Sequence, residues 1–257
     1  MNDQTNKISV VINTYNARQH LKEVLESVKD FDEVLVCDME STDDTVRIAR
    51  ENGCRVVTFP KAGHKSAEPA RTFAIQSATC PWVLVVDADE IVTQKLQQEL
   101  YRRISMPDCP EGLYIPRLNQ FMGKTLKCAY PDYQLRFFVR EGTEWPPYVH
   151  TFPVVKGRIG YLPKKRKELA FVHLANDSIH SIMEKDNRYS DNDVDKKAHK
   201  KWGTGALLWR PAWRFFKCYV MEGGWKDGIR GLIYAGLKGI YQFQLVAKMI
   251  ERRQTGQ

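Results

Sequence analysis

The sequence predicts an α/β fold: a mainly parallel sheet with helices on both faces, followed by a helical C-terminal extension. Three observations predict it. Apolar runs at residues 8–12, 33–37, 55–59 and 82–86 alternate with helix-periodic segments, and uninterrupted apolar strands separated by helices belong to parallel sheets covered on both faces. After Met106-Pro107-Asp108 the alternation gives way to short strand-like pieces. Beyond about Leu207, aromatic, aliphatic and basic residues recur at roughly helical spacing,.

Each element has a local reason. Residues 8–12 (Ile-Ser-Val-Val-Ile) read as a buried strand. Leu21, Val24, Leu25 and Val28 recur at i, i+3, i+4 and i+7, which predicts a helix, with Asn16 and Gln19 as its capping box,. Residues 33–37 form the second strand. Ser41 or Thr42 then caps a second helix with Asp43 and Asp44 in its first turn, and Asn52-Gly53 ends it,. The third strand, 55–59, stops at Pro60. A loop over 61–66 leads into a helix carrying Ala70, Phe73 and Ala74. Residues 82–86 are the fourth strand, and Thr93 caps the next helix with Leu96, Leu100 and Ile104 inward,. Strand-like pieces around 113–118, 134–139 and 151–155 are expected to extend the sheet in antiparallel or mixed fashion. Residues 176–204 are polar and read as helical or loose.

Bulk properties narrow the function classes. With 257 residues and 43% hydrophobic content the chain can bury a substantial core,. Residues 1–7 are polar, so no secretory leader is expected, and no apolar run reaches the roughly 20 residues of a bilayer span,. The six cysteines are scattered without a Cys-x-x-Cys pair, which argues against a disulfide or zinc framework and fits a reducing cytoplasm,. Charge is uneven: residues 1–155 carry 18 Lys+Arg against 21 Asp+Glu, whereas residues 156–257 carry 21 against 10. That asymmetry points to a polyanionic partner for the C-terminal part.

In open α/β sheets ligands bind outside the carboxyl ends of the strands. Thr14, Tyr15 and Asn16 follow the first strand, Asp38 the second and Asp87-Ala88-Asp89 the fourth, so one crevice can collect them. Two aspartates one residue apart suit Mg2+ or Mn2+, which takes one or two carboxylates and completes its shell with phosphate oxygens and water. As three letters Asp-x-Asp is a weak signal, equally readable as a solvated turn. Asp38 can accept from a pyrimidine N–H or a ribose hydroxyl, or simply cap the following helix. Arg71 and Lys65 are candidates for a diphosphate.

The blocks Val10-Val11-Ile12-Asn13-Thr14-Tyr15-Asn16, Asp38-Met39-Glu40-Ser41-Thr42-Asp43-Asp44-Thr45, Ala70-Arg71 and Val85-Val86-Asp87-Ala88-Asp89-Glu90 resemble family 2 inverting glycosyltransferases with the GT-A fold. Later segments, including Gly123-Lys124, the stretch from Tyr130 to Phe138 and Val149-His150, resemble the branch containing lipopolysaccharide-core glucosyltransferases of Gram-negative bacteria. The resemblance implies that Thr14 and Asp38 contact the nucleoside, Arg71 lies near the diphosphate or base, Asp87 approaches ribose or metal, and Asp89 ligates the metal. Tyr15, Asn16 and Lys65 complete the donor-binding set. The chain departs from the family pattern at Met39-Glu40, where Asp or Ser followed by Gly is usual, and at Thr151, where the branch often has Glu.

Inverting transfer needs a base for the acceptor hydroxyl. Asp132, between Tyr130 and Tyr133 and before Arg136, is the first candidate; His150 is the second and His173 a third. The alternatives are that Asp132 only pairs with Arg136, and that His150 is a third metal ligand or a packed core histidine.

The expected organisation is a GT-A catalytic domain over 1–175, with a donor half at 1–105 and an acceptor half at 106–175, then a basic, aromatic extension over 176–257. Trp209, Trp213, Phe215, Phe216 and Tyr219 interleaved with Arg210, Arg214 and Lys217 suit an anionic membrane surface. They also suit packing on the catalytic domain or, as the least expected reading, nucleic acid. The expected function is metal-dependent transfer of a hexose, glucose first, from a UDP-linked donor to a lipid-anchored saccharide at the cytoplasmic face of the inner membrane. Two rivals stand beside it. A sugar-nucleotide nucleotidyltransferase would need a Gly-rich phosphate loop after the first strand, which Asn13-Thr14-Tyr15-Asn16 is not. A non-catalytic membrane or nucleic-acid adaptor would not need Asp87 and Asp89.

Overall fold

The computed structural model describes residues 6–64, 67–147, 151–174, 178–197, 200 and 202–255. They divide into two units, residues up to 118 with 131–174, and residues 119–130 with those from 175 onward.

The first unit opens with four βα steps. Strand β1 (Ile8–Thr14) leads to helix α1 (Arg18–Val28), β2 (Glu33–Asp38) to α2 (Thr45–Glu51), β3 (Arg55–Thr58) to α3 (Glu68–Ser77), and β4 (Trp82–Asp87), through the short β5 (Glu90–Ile91), to α4 (Gln94–Ile104). Then come β6 (Gly112–Ile115) and β7 (Arg117–Phe121), the latter carrying the chain into the second unit. Strand β8 (Lys124–Thr125) lies in the second unit, and β9 (Gln134–Val139), β10 (Ile159–Tyr161) and β11 (Phe171–His173) complete the first. The sheet has seven strands in the order β10-β6-β9-β4-β1-β2-β3. Strands β4, β1, β2 and β3 run parallel, β9 runs antiparallel to β4 and β6, and β10 is parallel to β6.

Alternation along the strands sends side chains to two cores. Val10 and Ile12 pack with α1 (Leu21, Val24, Leu25, Val28) and α4 (Leu96, Leu100, Ile104) on one face. Val11, Leu35, Val83 and Val85 pack with α3 (Ala70, Ala74, Ile75) on the other. Two-sided burial is why these strands are apolar throughout, and the α/β expectation holds.

Several local expectations need correction. Asn16 does not cap α1: its backbone is left-handed (φ 49°) and its side-chain carbonyl accepts from the Thr42 N–H at 2.8 Å. Helix α2 starts later than expected because Ser41 is occupied with Asp38, while Asp43 accepts from the Thr45 N–H at 3.0 Å. Phe73 faces outward, and α3 buries Arg71 in its place. Residues 151–155 form no strand, only a bridge between Val154 and Glu144; the strand falls at β10. Thr93 caps α4 as expected, its Oγ1 accepting from the Leu96 N–H at 3.1 Å.

In the second unit β7 and β8 make a hairpin whose turn places Met122 and Gly123 at positive φ. Helices α5 (Ile179–Lys196), α6 (Ala206–Phe216) and α7 (Ile229–Thr255) follow. A Cβ on Gly231 would lie 1.9 Å from the Gly224 carbonyl oxygen, and one on Gly239 would lie 3.2 Å from that of Pro211, so bare backbone lets α7 pack this closely,. The Asp227 carboxylate accepts from the Lys127 and Cys128 N–H groups, tying the hairpin to the turn before α7. All six cysteines are free. No helix among the described residues is long and apolar enough to cross a membrane.

Candidate active site

Strand order reverses at β1, whose neighbours are β2 and β4, and the carboxyl ends of these three strands carry the acidic residues. Register fixes the pairs: Thr14 is opposite Asp38, and Asn13 opposite Asp87. Thr14 Oγ1 donates to Asp38 Oδ1 at 2.8 Å, while Ser41 donates to Asp38 through its N–H (2.8 Å) and its hydroxyl (2.6 Å). Three of the roughly four lone-pair sites of the Asp38 carboxylate are thus spent inside the protein. Tyr15 is exposed at the strand end with the Lys61 ammonium 4.2 Å from its ring centroid. Met39 is buried and donates its N–H to the Thr14 carbonyl. Glu40 takes a left-handed backbone (φ 60°), the conformation that the glycine of the family pattern adopts without strain,.

Asp87 is gripped from two sides. Arg71 of α3 donates to Oδ1 at 2.9 Å and Arg136 of β9 to Oδ2 at 2.5 Å. Burial alone would raise the Asp87 carboxyl, but Arg136 and Arg71 outweigh it and hold the group well below the usual carboxylate range,. Trp145 lies against both guanidinium groups, at 4.5 Å from Arg71 and 5.3 Å from Arg136. Thr72 fixes the Trp145 backbone with one bond in each direction, both 2.9 Å. Nε and Nη1 of each arginine are buried with no acceptor among the described residues, as is the side-chain amide of Asn13. Buried donors left unmade cost about 1–3 kcal/mol each, so such groups call for an acceptor.

A second ion cluster abuts the first. Buried Glu90 accepts from the Asp87 N–H (3.1 Å) and from Arg117 (2.9 Å). Arg117 also makes two bonds to Asp132 Oδ2, at 2.9 and 2.7 Å, and Gln134 donates to Oδ1 at 2.9 Å. Burial works against the Arg117 charge, but Glu90 and Asp132 raise its pKa above the ordinary arginine value. Asp132 therefore pairs with Arg117, not with Arg136. Tyr133 donates its hydroxyl to the Leu162 carbonyl at 2.8 Å, so it braces the protein itself.

Pairing of β5 with β11 sets Glu90 opposite His173 and brings the His173 ring to 3.3 Å from the Asp89 carboxylate. Both side chains keep partial exposure, 35% for Asp89 and 21% for His173. No group of three or more His, Cys, Asp or Glu placed to hold a metal occurs among the described residues. Lys65 and His150 lie outside the described residues.

Arg117, Trp145 and the partnership of Arg136 with Asp87 were not foreseen from sequence. A cation interrupting the apolar run of β9 was a legible signal for Arg136, whereas nothing local marks Trp145.

Acidic and basic groups converging on strand ends at the point of order reversal define a ligand-binding α/β enzyme site. The model of the Glycosyl transferase family 2 matches residues 9–139, and the chain belongs to that family. It is 42% identical over 260 residues to an uncharacterised glycosyltransferase of Rickettsia prowazekii, covering 95% of this chain and 86% of that one. It is 23% identical over 254 residues to the lipopolysaccharide core biosynthesis glycosyltransferase LpsC of Rhizobium meliloti, covering 95% and 92%. In fold it is similar to S. aureus TarS 1–349 in complex with UDP, with a TM-score of 0.51, 17% identity and coverage of 98% and 92%. The chain is thus a glycosyltransferase with the GT-A fold.

Proposed function

We propose that this glycosyltransferase moves a hexose, glucose first, from a UDP-linked donor to a lipid-anchored saccharide such as lipopolysaccharide core, with inversion and with Mg2+ or Mn2+. The observation that carries the reading is Asp87 held between Arg71 and Arg136 at the end of β4, with both guanidinium groups keeping buried N–H donors that find no acceptor among the described residues. Those donors suit the oxygens of a diphosphate. Thr14, Tyr15, Asn16 and Asp38 then line the nucleoside side, with Tyr15 as an exposed ring for the base.

The donor set fits a divalent cation. Asp89 offers a partly exposed carboxylate and His173 an imidazole beside it, and two protein ligands leave room for phosphate oxygens and water. Asp87, engaged by two arginines, serves better to position Arg71 and Arg136 than to ligate. A bound cation would neutralise charge on the leaving diphosphate. Asp132 is the proposed base: Arg117 and Gln134 fix the direction of its carboxylate, and it would take the proton of the acceptor hydroxyl as that oxygen attacks the anomeric carbon. His150 remains the rival. The likeness to LpsC supports a saccharide of the cell envelope as acceptor, and the basic extension supports work at the cytoplasmic face of a membrane.

The test is a thermal-shift screen of UDP-glucose, UDP-galactose and GDP-mannose with and without manganese. A metal-dependent rise with a UDP-sugar is expected; no rise with any nucleotide sugar would sink the donor assignment.

A further inference from the structure

We propose that the outer face of α6 carries a phosphate-binding cleft for anionic lipid, through which the protein rests on a bilayer surface. A cleft of about 280 Å³ is lined by Trp209, Arg210, Trp213, Arg214, Lys217 and Gln242. Its chemistry is that of an anion site with aromatic walls. Arg210 donates to the Gln242 side-chain carbonyl at 2.9 Å, and its guanidinium lies 3.9 Å from the Trp202 ring and 5.4 Å from the Trp209 ring. Arg210 Nε is buried with no acceptor among the described residues. Among the described residues no carboxylate pairs with Arg210 or Lys217, while Arg214 has Glu222 at 3.1 Å. Arg210 and Lys217 therefore bring the cleft positive charge that no described carboxylate neutralises, which an incoming phosphate would.

The surroundings decide the source of that phosphate. Leu208, Trp209, Trp213, Phe216, Val220 and Met221 are all exposed, Leu208 to 77% and Met221 to 63%. A site for a soluble anion needs no such apolar rim. A lipid headgroup site does, because the chains beside the phosphate are hydrocarbon, tryptophan rings settle at headgroup level, and cations meet anionic lipid. Exposed Leu208, Val220 and Met221 offer nothing for bases to stack on, which disfavours nucleic acid. No described helix is apolar enough to span a bilayer, so contact of this kind is interfacial. The proposal extends the lipid-anchored acceptor reading and does not depend on the donor site.

The test is flotation of the full chain with vesicles of phosphatidylcholine, alone or mixed with phosphatidylglycerol. Binding is expected with phosphatidylglycerol and is expected to weaken as salt rises. Arg210→Gln with Lys217→Gln should lower it roughly 25-fold, about fivefold per cation. Lys217→Gln alone, at an exposed position where folding is not at stake, should give the single step,. Brominated lipid should quench tryptophan emission, less so in Trp209→Phe with Trp213→Phe. UDP-glucose thermal shifts on the same variants should be unchanged, which separates this site from the donor site. Equal binding to both vesicle types or unchanged binding by the double variant overturns the proposal. So does full competition by millimolar inorganic phosphate without vesicle binding, tighter binding to a single-stranded oligonucleotide, or a lipid-free dimer that the double variant dissolves.

Discussion

Arg136 reaches Asp87 at 2.5 Å from a strand that runs antiparallel to Asp87's own. The pairing of β4 with β9 ends at Leu84 opposite Phe137, one residue short of Arg136, so an antiparallel strand inside the sheet brings a second cation to Asp87 beside Arg71 of α3.

That relationship predicts the behaviour of Arg136→Gln. Removing one partner of a largely buried pair leaves Asp87 with Arg71 alone, and about 3 kcal/mol of stability should be lost at neutral pH. Urea unfolding measures it. The sign with pH follows from the depressed Asp87 value. The contribution is present above the ordinary carboxylate pKa of 3.8 and is lost as pH falls through the lower folded value,. The gap between wild type and variant should stay constant from neutral pH to about pH 5 and close in stronger acid. A gap that widens on acidification would contradict the assignment. UDP-glucose affinity should also drop by one to two orders of magnitude, roughly 1.4 kcal/mol for each tenfold loss.

Asp89→Ala and His173→Ala should each abolish the manganese-dependent part of the UDP-glucose thermal shift while leaving melting without ligand close to wild type. Both side chains are partly exposed, so little packing is lost. Retained metal dependence in Asp89→Ala would remove Asp89 from the metal site.

Asp132→Asn keeps the size of the side chain and its bond with Gln134 but loses the proton acceptor. Donor binding should persist while transfer falls about 10²- to 10⁴-fold, the usual weight of a general base. If His150→Ala shows that pattern and Asp132→Asn does not, the base is His150.

Gly231→Ala tests the helical unit. Its new Cβ would meet backbone rather than a flexible side chain. About 3 kcal/mol should be lost in thermal or urea unfolding, whereas Gly236→Ala, whose Cβ would meet nothing within 4 Å inside the same helix, should lose nothing and gain up to about 1 kcal/mol,. Equal effects would show that the close approach does not constrain the unit.

Much of the strand-end site was legible. Apolar runs located the four parallel strands; β1, β2 and β4 are largely buried, and a strand buried on both faces has no polar alternation to hide it, whereas β3 sits half-exposed at the sheet edge,. The helix-periodic stripes of α1 and α4 were likewise readable from spacing alone. Strand ends then placed Thr14, Asp38 and Asp87 together. Caps were less legible: Asn16 and Ser41 have the right residue types for helix starts, but each found a partner in the neighbouring loop.

The sequence by itself determined the α/β class, the strand ends that carry the acidic residues and the basic, aromatic character of the C-terminal part. These follow from periodicity and composition, which are local. Only tertiary structure decided that Arg136 serves Asp87, that Arg117 serves Asp132, that Trp145 covers the arginines and that His173 stands beside Asp89. Those pairings join residues 9 to 84 positions apart. They depend on which strands become neighbours and in what register, and no spacing within one segment encodes that.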